Sequence, residues 1–256
     1  MIRIKGVVLA GGLGKRLGGE VPKPLVGLLG KPLIGWVIES MQKAGVEDIT
    51  LVVSPAIFEE IRRNFADFDV LIQERPLGTA HAAATAISRF DSDEDVLVMY
   101  SDTPLFRPET IRCLMGEHEG DATFLTHVTS EKFPYAVVVR KGEKLVGLKE
   151  HLTVNGRVEY SVGVYVFRAG SYMEFWKNLK PNPRSGEYYI SDLIDSMISG
   201  GLSVKAVSCA PEDEFLGVNT PNDLKRAEEI LKRRGMLKFA RGGAEDEDTQ
   251  RDETDG

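Results

Sequence analysis

Short runs of apolar residues, separated by stretches with apolar side chains at every third or fourth position, dominate the first hundred residues. Residues 6–9, 49–53, 70–73 and 96–100 form four such runs, with the length and β-branched content of strands buried on both faces of a parallel sheet. Between them, residues 32–44, 56–65 and 79–90 place apolar side chains at helical spacing. Strictly alternating strands and helices predict an α/β fold with a doubly wound, mostly parallel sheet. Sheets of that kind bind ligands at the carboxyl ends of their strands, near the point where strand order reverses. Leu9, Ala10, Gly11, Gly12, Gln73, Ser101 and Asp102 all fall at or just past predicted strand ends, so they can share one crevice.

The second half has a different rhythm. Residues 122–127, 135–140, 144–148 and 162–167 are strand-like with short polar breaks, and helices are predicted over 171–179 and 188–198. This predicts a mixed β extension of the sheet. A last helix over 221–234 places Leu224, Ala227, Ile230 and Leu231 on one face and closes the domain.

Composition sharpens the domain boundary. Of the net charge of −7, five units come from residues 241–256, where seven acids meet two arginines. That stretch has almost no apolar side chain to offset its ordering entropy. The sequence therefore predicts one folded domain over residues 1–236 and an acidic, disordered tail over 237–256. No apolar run reaches membrane-spanning length, and the first strand begins too early to leave room for a signal peptide. A cytoplasmic chain without a membrane or nucleic-acid partner is expected. Cys113 and Cys209 lack metal-ligand spacing and read as reduced packing residues.

The candidate chemistry begins in residues 6–25, GVVLAGGLGKRLGGEVPKPL. Gly11, Gly12 and Gly14 remove the Cβ atoms that would keep a backbone from closing over an anion. Arg16 and Lys23 follow, a guanidinium fork and an ammonium suited to phosphates. Leu17 stands where a dinucleotide-binding loop needs glycine, and Arg16 stands where a Walker loop needs serine or threonine. Neither of those loops fits.

L-A-G-G-x-G-x-R-L followed by P-K-P-L resembles the signature of the sugar-1-phosphate nucleotidyltransferases. Within them the chain is most similar to the uridyltransferase domain of bacterial N-acetylglucosamine-1-phosphate uridyltransferases. QERPLGTAHA, VLVMYSDTPL, GLKE, SVGVYVF, GEYYISD and GVN follow in that family's order. The resemblance implies a Rossmann-like nucleotidyltransferase fold with a sugar-binding β extension. It also implies attack of a sugar 1-phosphate on the α-phosphorus of a nucleoside triphosphate, UTP being favoured, with Mg²⁺ as cofactor. No hexapeptide repeat follows the last helix, so the β-helical acetyltransferase half of the bifunctional enzymes is not expected.

Carried over residue by residue, the resemblance makes Arg16 and Lys23 catalytic, Arg16 toward the leaving pyrophosphate and Lys23 toward the α-phosphate. Asp102 and Asn219 become metal ligands, which suits the oxygen preference of Mg²⁺. Leu9, Ala10, Gly11 and Gly12 contact the base through backbone. Gln73 can pair both ways with a uracil edge, beside Gly78 and Thr79. Ser101, Ala136, Glu150 and Ser161 line the sugar pocket, with Glu150 accepting from sugar hydroxyls. His81 reads as structural. Here the chain departs from the family, which has glycine at 101 and 136 and asparagine at 161. All three changes touch the sugar side rather than the phosphates, so the reaction class stands while the sugar is opened. The resemblance favours N-acetylglucosamine 1-phosphate as acceptor, and a thymidylyl-, guanylyl- or cytidylyltransferase acting on another sugar or polyol phosphate is the alternative. An inactive nucleotide-sugar-sensing subunit is the reading from another class. The oligomeric state is not legible.

Overall fold

β1 (Lys5–Ala10) is the axis of the fold. It pairs in parallel with β4 (Ile49–Val53) on one side and β6 (Asp95–Tyr100) on the other, and β5 (Asp69–Ile72) adds beyond β4. The computed structural model describes residues 4–12, 17, 21–150, 152–209 and 211–236. Arg16 and the tail read over residues 237–256 lie outside the described residues.

Alternation along β1 sorts its side chains between two layers. Val7 and Leu9 enter a core with the alanine-rich helix α3 (Thr79–Ile87), α5 (Ala169–Trp176) and α6 (Ile190–Ser199). Val8 and Ala10 enter the opposite core with α1 (Leu33–Ala44), α2 (Phe58–Asn64) and α4 (Pro108–Gly116). Burial on both faces is why β1 beyond Lys5, and β4 apart from Thr50, carry apolar side chains on both faces rather than alternating. The sheet is doubly wound, as the sequence predicts.

β10 (Val158–Arg168) pairs antiparallel with β6, and β7 (Ala122–Thr129) lies antiparallel beyond it. β11 (Val204–Val207) completes that edge in parallel with β7. The hairpin of β8 (Val137–Lys141) and β9 (Lys144–Lys149) leans on β10 through Tyr160 opposite Val137. The pairing of β10 with β7 shifts register between Ser161 and Tyr165. Gly163 sits in that irregularity with φ +82°, where a Cβ would fall 2.8 Å from the Tyr100 ring, so only glycine fits.

α7 (Pro221–Arg233) is capped by Thr220, whose hydroxyl accepts from the Asp223 amide while the Asp223 carboxylate accepts from the Thr220 amide. A small hairpin, β2 (Gly27–Leu28) with β3 (Lys31–Pro32), supports α1 and α7.

The structure adds elements that the apolar pattern does not reveal. α4 buries only Thr110, Ile111 and Leu114, too few to stand out as a periodic stripe. β11 is an edge strand, half-buried throughout. β10 begins at Val158, four residues before the predicted strand, and the helix expected from residue 56 opens as a 3-10 turn at Pro55–Ile57. Among the described residues no helix is long and apolar enough to cross a membrane.

Candidate active site

The chain runs outward from β1 to β4 and β5, then returns to the other side of β1 as β6. Strand order reverses between β1 and β6, which is where a doubly wound sheet opens a crevice. A cavity of about 730 Å³ lies there. The two strand ends are knitted by the Ser101 amide, which donates to Leu9 O at 3.0 Å. Leu9, Gly11 and Gly12 line the cavity. The Ala10 side chain faces away, fully buried in the α1 core, so only its backbone is oriented for a ligand.

Three residues far apart in sequence meet on one wall. Pro22 and Pro24 flank Lys23 and set it on a short 3-10 turn. Its ammonium donates to the Asp102 carboxylate and, at 2.8 Å, to Asn219 Oδ1. Asp102 leaves β6 in a turn; it caps no helix, since α4 starts at Pro108. Asn219 is brought in by the Val218 amide, which donates to Asp102 O at 2.8 Å. Tyr135 anchors the same segment, its hydroxyl donating to Phe215 O at 2.8 Å and accepting from the Gly217 amide at 2.9 Å. Burial, with Asp102 nearby, pushes the Tyr135 hydroxyl pKa up, so it keeps the proton it donates.

Another part of the cavity is built where two motifs join. Gly78 starts α3 at φ +103°, and a Cβ there would fall 2.5 Å from Tyr188 O. That close approach lets the Ala80 amide donate to Tyr188 O and the Ile190 amide donate to Thr79 Oγ1. The QERPLGT and GEYYISD segments thus lie side by side. Gln73, mostly buried, donates through Nε2 to Gly78 O at 3.0 Å and meets His81 Nδ1 at 3.0 Å. Both amide hydrogens are used within the chain, so the two-way pairing expected of Gln73 reduces to its oxygen.

Ser101, Ala136, Glu150 and Ser161 line the same cavity. Glu150 accepts from Ser191 Oγ at 2.6 Å at the start of α6. The Ser161 amide donates to Ala136 O at 2.9 Å, and its hydroxyl stands 3.4 Å from Tyr165 Oη. Tyr165 in turn lies 3.5 Å from the Tyr100 hydroxyl. Burial raises both tyrosine pKa values, leaving neutral hydroxyls beside the pocket.

Of the described residues predicted from the sequence to contact substrate or metal, all but Ala10 line this cavity. Sequence reasoning missed Tyr135, Tyr165 and the reach of His81, because a tyrosine at a strand start and a histidine on an apolar helix carry no local signal.

A model of the MobA-like NTP transferase domain matches residues 6–157. The chain belongs to the MobA-like NTP transferase family. Among related MobA-like chains, the bifunctional protein GlmU of Clostridium novyi is 36% identical over 242 residues, covering 89% of this chain and 52% of that one. GlmU of Acetivibrio thermocellus is 32% identical over 247 residues, covering 93% and 53%. The chain spans about half the length of these curated relatives. A Bacillus anthracis structure described as a glucose-1-phosphate thymidylyltransferase in complex with a sucrose superposes with a TM-score of 0.77 at 20% identity, covering 93% of this chain and 98% of that one. The Rossmann-like nucleotidyltransferase fold is therefore shared, and the resemblance to sugar-1-phosphate nucleotidyltransferases holds at the level of the family.

The residues present suit a divalent metal. Asp102 and Asn219 offer one carboxylate and one amide oxygen, hard donors of the type Mg²⁺ takes. Both contact the single Lys23 ammonium, so one cation can reach both. Among the described residues no group of three or more His, Cys, Asp or Glu side chains could hold a metal.

Proposed function

We propose that this MobA-like NTP transferase moves UMP from UTP to a hexosamine 1-phosphate, N-acetylglucosamine 1-phosphate foremost, and releases pyrophosphate. The observation that carries the reading is the meeting of Lys23, Asp102 and Asn219 in the same cavity as Glu150 and Ser161. Cationic phosphate chemistry and hydroxyl-binding side chains then share one cavity.

In the reaction an oxygen of the sugar phosphate forms a bond to the α-phosphorus as the bond to the β-phosphate bridging oxygen breaks. Two anions must approach, so charge neutralisation and alignment dominate the barrier. Mg²⁺, held by Asp102 and Asn219, would supply charge neutralisation at the phosphates. With those oxygens so engaged, Lys23 is free to neutralise charge at the α-phosphate. The Leu9–Gly12 backbone and Gln73 hold the base. Glu150, oriented by Ser191, accepts from sugar hydroxyls, and Ser101, Ala136 and Ser161 shape the wall around the ring. Arg16 takes the pyrophosphate side.

The test is a pyrophosphate-release screen of UTP, dTTP, GTP and CTP against hexose and hexosamine 1-phosphates, with Mg²⁺ and after chelation. Turnover led by UTP with N-acetylglucosamine 1-phosphate and lost on chelation supports the reading. Preference for dTTP with glucose 1-phosphate, the chemistry named for the Bacillus anthracis protein, would replace it with that second one.

A further inference from the structure

The Gln73 amide is fixed in one orientation. Its nitrogen contacts Gly78 O and His81 Nδ1, each at 3.0 Å. A backbone carbonyl can only accept, so nitrogen and not oxygen must face Gly78. The second amide hydrogen then points at His81 Nδ1, which must be unprotonated and carry its ring proton on Nε2. Burial lowers the His81 pKa, in keeping with a neutral ring near pH 7. His81 is itself held, its ring edge-on to Trp176 at 5.7 Å between centroids. The free end of the amide, Oε1, lies on the Gly11 side, 3.5 Å from where a Gly11 Cβ would sit. Gln73 and Gly11 both line the cavity, and Gln73 is only 7% exposed, so the amide meets a ligand through its oxygen.

We infer that His81 is a positioning residue for base selection: by engaging one Gln73 N–H it leaves the site a fixed carbonyl acceptor, selective for a base that presents an imide N–H. Uracil and thymine present such a hydrogen at N3. Cytosine presents a bare nitrogen there, and a lone pair facing a carbonyl oxygen is repelled. Without His81 the amide would be held at one point only, by Gly78 O, and an amide held at one point turns more readily to serve either base. The inference rests on the nucleotidyl-transfer reading for the place of the nucleotide, but binding alone can test it.

Calorimetric affinities for UTP and CTP with Mg²⁺ should be measured for the wild type, His81→Phe and His81→Asn. Phenylalanine keeps a ring against Trp176 and removes the acceptor; asparagine places a carbonyl near the lost Nδ1. The wild type is expected to favour UTP by about thirtyfold or more, the range a site gains by leaving a polar group unpaired with the wrong ligand. His81→Phe should cut the ratio about tenfold, and His81→Asn should restore most of it. His81→Leu serves the same comparison if the phenylalanine variant does not fold. Equal affinity of the wild type for UTP and CTP, an unchanged ratio in folded His81→Phe or His81→Leu, or no recovery in His81→Asn would each overturn the inference. UTP binding without turnover toward any sugar phosphate would overturn the transfer reading and leave the inference standing.

Discussion

Lys23 donates to Asn219 across 196 residues of sequence, at 2.8 Å. The same ammonium holds Asp102, so the first glycine-rich segment, the end of β6 and the approach to α7 are joined by one cation. The lysine proposed for the α-phosphate and the two oxygens proposed as metal ligands thus form a single electrostatic unit, and perturbing any one changes the other two.

Asp102→Ala is expected to lower kcat about a thousandfold, the scale of losing a group that neutralises charge in the transition state. The side chain is 22% exposed, in a turn beyond the core, and its loss leaves Lys23 facing cavity water. The melting temperature should therefore move by only about 4 °C or less, about 1 kcal/mol. Retained activity in a steady-state pyrophosphate assay would show that the metal is held elsewhere.

Tyr135→Phe removes the hydroxyl that ties both Phe215 O and the Gly217 amide. Leaving those groups unsatisfied should cost about 1–3 kcal/mol in urea unfolding. Because Asn219 follows on the same segment, the Mg²⁺ concentration giving half-maximal rate should rise several-fold. An unchanged Mg²⁺ requirement would show that the segment holds its place without the tether.

Ser161→Asn tests the sugar wall. Ser161 offers a short hydroxyl already near Tyr165, which leaves room for a water where an asparagine amide would reach the ring. The wild type is expected to use glucose 1-phosphate within about a hundredfold of N-acetylglucosamine 1-phosphate in kcat/KM, and Ser161→Asn should widen that gap. Wild-type exclusion of glucose 1-phosphate well beyond this would place the discrimination at another residue.

Acid should weaken the fold before most carboxylates titrate. Burial lowers the His118 pKa against the raising pull of Asp95, and burial also lowers His81 and His127. The unfolded chain takes up these protons near about pH 6.5, where the folded chain does not. Stability is therefore full above that pH and falls as pH drops toward the folded values. Melting temperature should decline from pH 7.5 to 5.5. Glu214, whose carboxyl is raised chiefly by burial, works in the opposite sense, so the comparison that isolates the effect is His118→Gln, which should flatten the slope.

The sequence by itself determined the sheet and a set of candidate residues that the fold gathers at one cavity. Runs such as 49–53 are apolar because both faces of the strand are covered, and that constraint is local enough to read directly; the structure places β4 on those residues. Lys23, Gln73, Asp102, Glu150 and Asn219 were legible because each lies in a short motif resembling a known family. Only the tertiary structure decided how those motifs touch. Sequence spacing says nothing about Tyr135 reaching 80 residues ahead to Phe215, or about the close approach to Tyr188 that forbids a side chain at Gly78. It also left the Gln73 amide free to pair either way, since an amide's orientation is set by the groups around it. Here Gly78 O and His81 Nδ1 set it, and their meeting depends on how α3 starts against the loop from β5.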